Sequence, residues 1–281
     1  VIHPARLPKV RDQMIADLLA WDDDVPIEVR KAVTGHLGGE LFHASEDMAA
    51  LAVAAGQELD TIRFATEDRI TPMGLLVMSG GIGRYTTAEG VDCPVDAVSW
   101  GPSDHGSTLL VVTWTERQRM VDALTERGGS SHRLDAAPAL VSGLFQGLLV
   151  GVDECPVAEL PAQLSTVLRA LFAAWQLMAQ PTISDRTAAP MNRGIARSYA
   201  RAGRPRPEVT LVSLRHIYRS DPTDDSTDRQ YRHRWVVRGH WRQQTHGPQH
   251  SLRRRTWIPA YVKGPDGAPL LARERVNVWR R

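Results

Sequence analysis

The most constraining stretch of the chain runs from Tyr231 to Arg242, where residue type alternates with a period of two. In an extended strand, successive side chains point to opposite faces. Tyr231, His233, Trp235, Val237, Gly239 and Trp241 then share a mostly apolar and aromatic face. Arg232, Arg234, Val236, Arg238, His240 and Arg242 share the other, which carries four guanidinium groups and an imidazole. A helix would scatter both sets around its cylinder. The alternation predicts a strand that packs one side on a core and offers positive charge on the other.

Charge is segregated along the chain to match. Residues 201–281 hold 18 Lys+Arg against 7 Asp+Glu, a balance of +11, while residues 1–200 stand at −9. Lys263 is the single lysine of that basic part. Arginine presents a planar fork of donors that grips phosphate or carboxylate with two hydrogen bonds and stacks on aromatic rings. A GC-rich coding sequence accounts for arginine over lysine, but not for the segregation.

At 281 residues the chain is long enough for one large domain or two smaller ones. No apolar run reaches the roughly 20 residues needed to span a bilayer. The longest candidate, Leu140 to Val152, is interrupted by Ser142, Gly143, Gln146, Gly147 and Gly151. The first residues lack the charged-then-apolar pattern of a signal peptide. Cys93 and Cys155 each precede a proline and form neither a disulfide framework nor a CxxC metal site. A soluble protein of the reducing cytoplasm is expected, without membrane attachment.

Read in order, Val10, Met14, Ile15, Leu18 and Trp21 predict an amphipathic helix over 7–21. Pro26 suits the first turn of a second helix that ends near Gly38-Gly39, and a third is expected from Ser45 to Gly56. The acidic character of this segment argues for a helical cap on a core rather than a helix-turn-helix. Strands are expected over 73–79, 95–100 and 107–114. Ser79-Gly80-Gly81-Ile82-Gly83 reads as a plain turn, being neither a Walker A loop nor GxGxxG. Thr115-Glu116-Arg117-Gln118 has the pattern of a capping box. Leu140, Val141, Leu144, Phe145, Leu148 and Leu149 suggest a buried helix, and Leu164, Leu168, Leu171, Trp175 and Met178 a core-facing one.

A helix over 190–203 would align Arg193, Arg197 and Arg201 four apart on one face. Beyond it the expected strands are 209–218, 231–242, 254–258 and 276–279. The expected fold is therefore α+β: an acidic body of helices and a small sheet over 1–180, then a basic module over 181–281 built of one helix and an antiparallel β meander.

The run Arg234-Trp235-Val236-Val237-Arg238-Gly239-His240-Trp241-Arg242, with Trp257-Ile258-Pro259 and Tyr261-Val262-Lys263-Gly264-Pro265, resembles the C-terminal ending of uncharacterised proteins from actinobacteria and their phages. The resemblance covers roughly the last fifty residues. It implies a phage or mobile-element context and assigns no chemistry to any residue.

The leading expectation is nucleic-acid binding by Arg232, Arg234, Arg238, Arg242, Arg253, Arg254 and Arg255, with Arg193, Arg197 and Arg201 as a second patch. Neutralising phosphates releases counterions and gives affinity without sequence reading. Alternation sets Trp235 and Trp241 opposite the arginines, so the arginines count for more than the rings as base platforms. The first alternative is an interaction protein whose Trp and Arg residues capture an acidic partner. The second is a metal-independent ribonuclease-like toxin with His240 as acid or base between Arg238 and Arg242. The bland reading is that the two charge halves neutralise each other within one fold. No catalytic residue, cofactor or metal is otherwise expected: His240, His246 and His250 lack nearby carboxylates. Ser103-Asp104-His105 is adjacency without triad geometry.

Overall fold

The computed structural model describes residues 2–20, 25–87, 90–103, 108–129, 134–149, 154–215, 235–259 and 261–263. By contacts the chain divides into two compact units, Val1–Arg215 and His216–Arg281.

The first unit opens with α1 (Leu7–Ala20), which buries Leu7, Val10, Met14 and Leu18 at helical spacing. Pro26 stands at the N-cap of α2 (Ile27–Leu37), and Gly38 closes it, its amide donating to the carbonyls of Thr34 and Gly35. The chain then enters β1 (Glu40–Ala44). Four of its five residues are buried in succession, so it shows none of the alternation that marks a one-sided strand. Ser45 ends it and caps α3 (Glu46–Gln57), its hydroxyl oxygen accepting the Met48 amide at 3.3 Å. After β2 (Thr61–Ile62) come β3 (Gly74–Met78), β4 (Gly83–Thr86), β5 (Asp92–Val95), β6 (Ala97–Pro102) and β7 (Thr108–Glu116).

Next follow α4 (Arg117–Glu126), β8 (Leu140–Leu149), β9 (Cys155–Pro156) and α5 (Ser165–Met178). The unit ends with β10 (Ser184–Ala188), α6 (Arg193–Arg201) and β11 (Val209–Leu214). Seven strands form one mixed sheet in the order β10-β11-β1-β3-β6-β7-β8. The central trio β11, β1 and β3 is parallel, with Leu41 paired to both Val209 and Leu75. The remaining pairings are antiparallel.

Alternate residues of the sheet serve two cores. Leu41, Leu75, Val77, Ala97, Val112 and Trp114 pack with Leu7, Met14 and Leu18 of α1 and Val33 and Leu37 of α2. Phe42 and Trp100 stack at 6.3 Å, and Trp100 meets Trp175 of α5 edge-on at 5.2 Å. On α3, Gly56 lies so near α5 that a Cβ would stand 2.9 Å from the Arg169 carbonyl carbon. Leu164, Leu168, Leu171, Trp175 and Met178 are all buried, so their 4-3-4-3 spacing is a core stripe.

The architecture is α+β, with more sheet than the sequence suggested. Residues 140–149 are a strand and not the expected buried helix. Their backbone pairs with β7 across a bulge between Val112 and Trp114. Gly143 takes the place where a Cβ would stand 2.5 Å from the Tyr85 hydroxyl. The capping box at Thr115 does not form: the Thr115 hydroxyl donates to the Pro94 carbonyl at 2.5 Å, and the N-cap is Glu116, whose own amide donates to Asp96. Cys93 and Cys155 are both free. Residues 184–214, grouped with the basic module on charge, belong to the first unit, because β11 inserts beside β1 in the sheet. No helix among the described residues is long and apolar enough to cross a membrane.

The second unit contains β12 (Trp235–Val237), β13 (His240–His246), β14 (Leu252–Ile258) and β15 (Tyr261–Lys263). β12 pairs with β15, and β13 with β14, both antiparallel. Trp235↔Lys263 and His240↔Ile258 share one register, so the four strands are two stretches of a single two-stranded ribbon instead of a meander. The ladder is interrupted at Arg238-Gly239, opposite Pro259, which has no amide hydrogen to donate. The expected strand at 276–279 lies outside the described residues.

Candidate nucleic-acid interface

The ribbon owes its form to its sequence. Trp241, Thr245, Thr256, Trp257 and Ile258 favour extended backbone, and Gly247-Pro248 starts the reversal. Gly247 has φ 77°, and the tip then places Gln249 (φ 52°) and His250 (φ 55°) in the left-handed region, which disfavours residues with a Cβ. The Ser251 hydroxyl donates to the Pro248 carbonyl at 2.9 Å and helps to close the loop.

Cross-strand register assigns every side chain to a face. Trp241 stands directly opposite Trp257, their rings edge-to-face at 5.2 Å and 65°. Trp257 is 5 % exposed. Gly239 lies against the same ring, where a Cβ would come within 2.5 Å of it. Gln243, Thr245, Arg253 and Arg255 belong to this face. The other face carries His240, Arg242, Gln244 and His246 on β13, opposite Ile258, Thr256, Arg254 and Leu252.

Exposure follows the alternation at the start of β13, while near the hairpin tip both faces carry exposed residues. From Val237 to Arg242 odd positions are half-buried and even positions exposed. Arg238, Arg242, Arg253 and Arg254 are exposed and Arg255 is half-buried. The triplet Arg253-Arg254-Arg255 is therefore divided between the faces, with Arg254 alone on that of Arg242. Arg232 and Arg234 lie outside the described residues. From Trp235 to Lys263 the sequence has five Arg and one Lys but neither Asp nor Glu, so the ribbon's own strands supply no carboxylate.

In the first unit, α6 presents Arg193, Arg197 and Arg201, all exposed, and buries Ile195 and Tyr199. Asn192 caps it, its Oδ1 accepting the Gly194 amide at 2.9 Å and the Ile195 amide at 3.4 Å. Tyr199 ties the helix to α1. Its hydroxyl donates to Asp12 Oδ2 at 2.6 Å and accepts from Arg11 Nη2 at 2.9 Å. Arg204 donates to both Asp12 oxygens, at 3.0 and 3.3 Å, and its guanidinium lies 4.8 Å from the Tyr199 ring centroid. Burial pushes the Asp12 carboxyl up, yet hydrogen bonds from Tyr199, Arg204 and Arg11 outweigh it and hold Asp12 below the ordinary carboxylate range.

Sequence reasoning missed this cluster, because its members lie up to 192 residues apart. It also shows that not all of the basic excess is uncommitted. Arg204 pairs with Asp12, and Arg215 with Asp185 at 2.7 Å.

Beside the cluster, at the leading ends of β1 and β11, lies a cleft of about 750 Å³ whose polar lining is Arg11, Glu40, Thr71, Arg204, Glu208 and Thr210. Its charges are of both signs, and Glu40 already accepts the Thr71 hydroxyl at 3.2 Å. At the opposite end of β3, Ser79-Gly80-Gly81 turns into β4 and not into a helix, so these glycines do not form a strand-to-helix phosphate loop.

For catalysis the ribbon offers little. The exposed His240 ring approaches the Arg238 carbonyl through Nδ1 at 3.1 Å. Opposite it stands Ile258 rather than a second acid or base. Among the described residues no three His, Cys, Asp or Glu side chains gather into a possible metal site, His240, His246 and His250 included. Asp104 and His105 lie outside the described residues. No family model matches the chain, and no curated protein matches it either.

Proposed function

We propose that the protein binds nucleic acid through the arginine-bearing ribbon of its second unit. The observation that carries this reading is a two-stranded β-ribbon with exposed Arg238, Arg242, Arg253 and Arg254 and no Asp or Glu from Trp235 to Lys263. A strand pair this rich in exposed arginine attracts a polyanion, and a polyphosphate adds the entropy of released counterions. The basic antiparallel module at the C-terminal end is the binding element in this reading. The resemblance of its motif to actinobacterial and phage proteins suits a role on a mobile element. The paired tryptophans hold the ribbon together and do not stack on bases.

The test is a titration against labelled duplex DNA, single-stranded DNA and structured RNA at two salt concentrations. Binding to at least one of them should weaken steeply as salt rises. Arg238→Ala/Arg242→Ala should weaken it further and flatten the salt slope by about one for each lost phosphate contact. Absence of binding to all three at low salt rejects the reading and leaves an acidic protein as the partner to seek. Cleavage of the RNA that disappears in His240→Ala would instead identify a ribonuclease.

A further inference from the structure

Resting on that reading, we infer that the ligand is B-form duplex DNA, entered through its major groove by the ribbon face that carries His240, Arg242, Gln244, His246 and Arg254. Dimensions support this first. Each strand of the hairpin has seven residues and the two run side by side. At a rise of about 3.4 Å per residue and a strand separation of about 4.8 Å, the pair is roughly 24 Å long and narrow. The major groove of B-DNA, about 12 Å wide, admits such a ribbon undistorted. The minor groove, about 6 Å wide, takes one only where the duplex is kinked, commonly by apolar wedges that this face, polar on β13, does not centre on. The major groove of A-form RNA is too deep and narrow for side chains to read.

Side-chain chemistry supports it next. Binding of single strands relies on aromatic rings open to unstacked bases. Here Trp257 is buried and Trp241 meets it edge-on, both on the face opposite Arg242. The outward face instead sets arginine, glutamine and histidine in alternate positions of one strand, about 6.8 Å apart. Arginine reads guanine O6 and N7, and glutamine reads adenine N6 and N7, as fork-like pairs on base edges. Arg253, exposed on the tryptophan face, is placed to contact a phosphate wall.

The full-length protein is titrated with duplex DNA, single-stranded DNA and duplex RNA of one sequence. The bound DNA duplex is then probed with dimethyl sulfate, which methylates guanine N7 in the major groove. The expected result is duplex DNA bound at least tenfold more tightly than the other two, with guanines protected over part of one turn. Arg242→Ala/Gln244→Ala should cost tenfold or more and remove the protection, while Arg253→Ala costs about threefold and leaves it. Preference for single strands or duplex RNA, or binding to duplex DNA without N7 protection, overturns the major-groove inference and leaves nucleic-acid binding standing. Binding to none of the three at low salt overturns both. Circular dichroism of each variant separates lost contact from lost fold.

Discussion

Asp12 ties α1 to the end of α6, because its neighbour Arg11 and the distant Tyr199 and Arg204 all converge on it. Arg11 is 7 % exposed, and its charge is compensated where it lies by Asp12, at 2.9 Å. Replacing Asp12 by Asn keeps the shape but leaves a buried guanidinium without its counter-ion, so about 2–3 kcal/mol of stability should be lost. Urea denaturation of Asp12→Asn and the parent at pH 7 measures this. Since the Asp12 carboxyl is held below its ordinary value of 3.8, its contribution is complete above that value and is lost as pH falls through the lower folded one. The parent should therefore lose stability below about pH 4, and that part of the loss should be missing in Asp12→Asn.

Among the elements, the ribbon and β8 show how glycine permits close approach. Gly239 lies under Trp257 and Gly143 under Tyr85, in both cases with room for hydrogen but not for a methyl group. Gly239→Ala should therefore push Trp257 off Trp241 and loosen the hairpin. An edge-to-face aromatic pair contributes about 0.5–1.5 kcal/mol beyond its buried area. Amide hydrogen exchange from 240 to 258 should accelerate by about tenfold, with the first unit unchanged. Exchange at wild-type rates would show that the tryptophan pair tolerates the added methyl. The helix α6 is a contrasting case. Its arginine stripe was legible because Ile195 and Tyr199 occupy the complementary positions, and the structure buries those two and exposes the three arginines.

For the whole molecule, charge segregation is real but smaller than a count along the chain implies. Arg204 and Arg215 belong to the first unit and pair with its carboxylates. Among the described residues, the ribbon and the α6 stripe are two places where exposed arginines gather. If α6 also contacts the polyanion, Arg193→Ala/Arg197→Ala/Arg201→Ala should weaken binding equally for all sequences. It should also reduce the logarithmic salt slope by about three. An unchanged slope assigns the interaction to the ribbon alone.

What the sequence determined was local. The alternation from Val237 to Arg242, the exposed arginine row of α6, the Ser45 cap and the α5 core stripe are each set by neighbours within a few residues, whose period shows in the chain itself. The tertiary structure decided the rest. β1 is covered on both faces and so has no period to read, and β8 reads as a helix until β7 supplies its hydrogen bonds. The division of Arg253-Arg254-Arg255 between two faces depends on the partner strand, and Asp12 meets Tyr199 and Arg204 only once the sheet has brought α1 and α6 together. Strand pairing and buried ion clusters join residues far apart in sequence, and no local propensity records which of many partners the folded core selects.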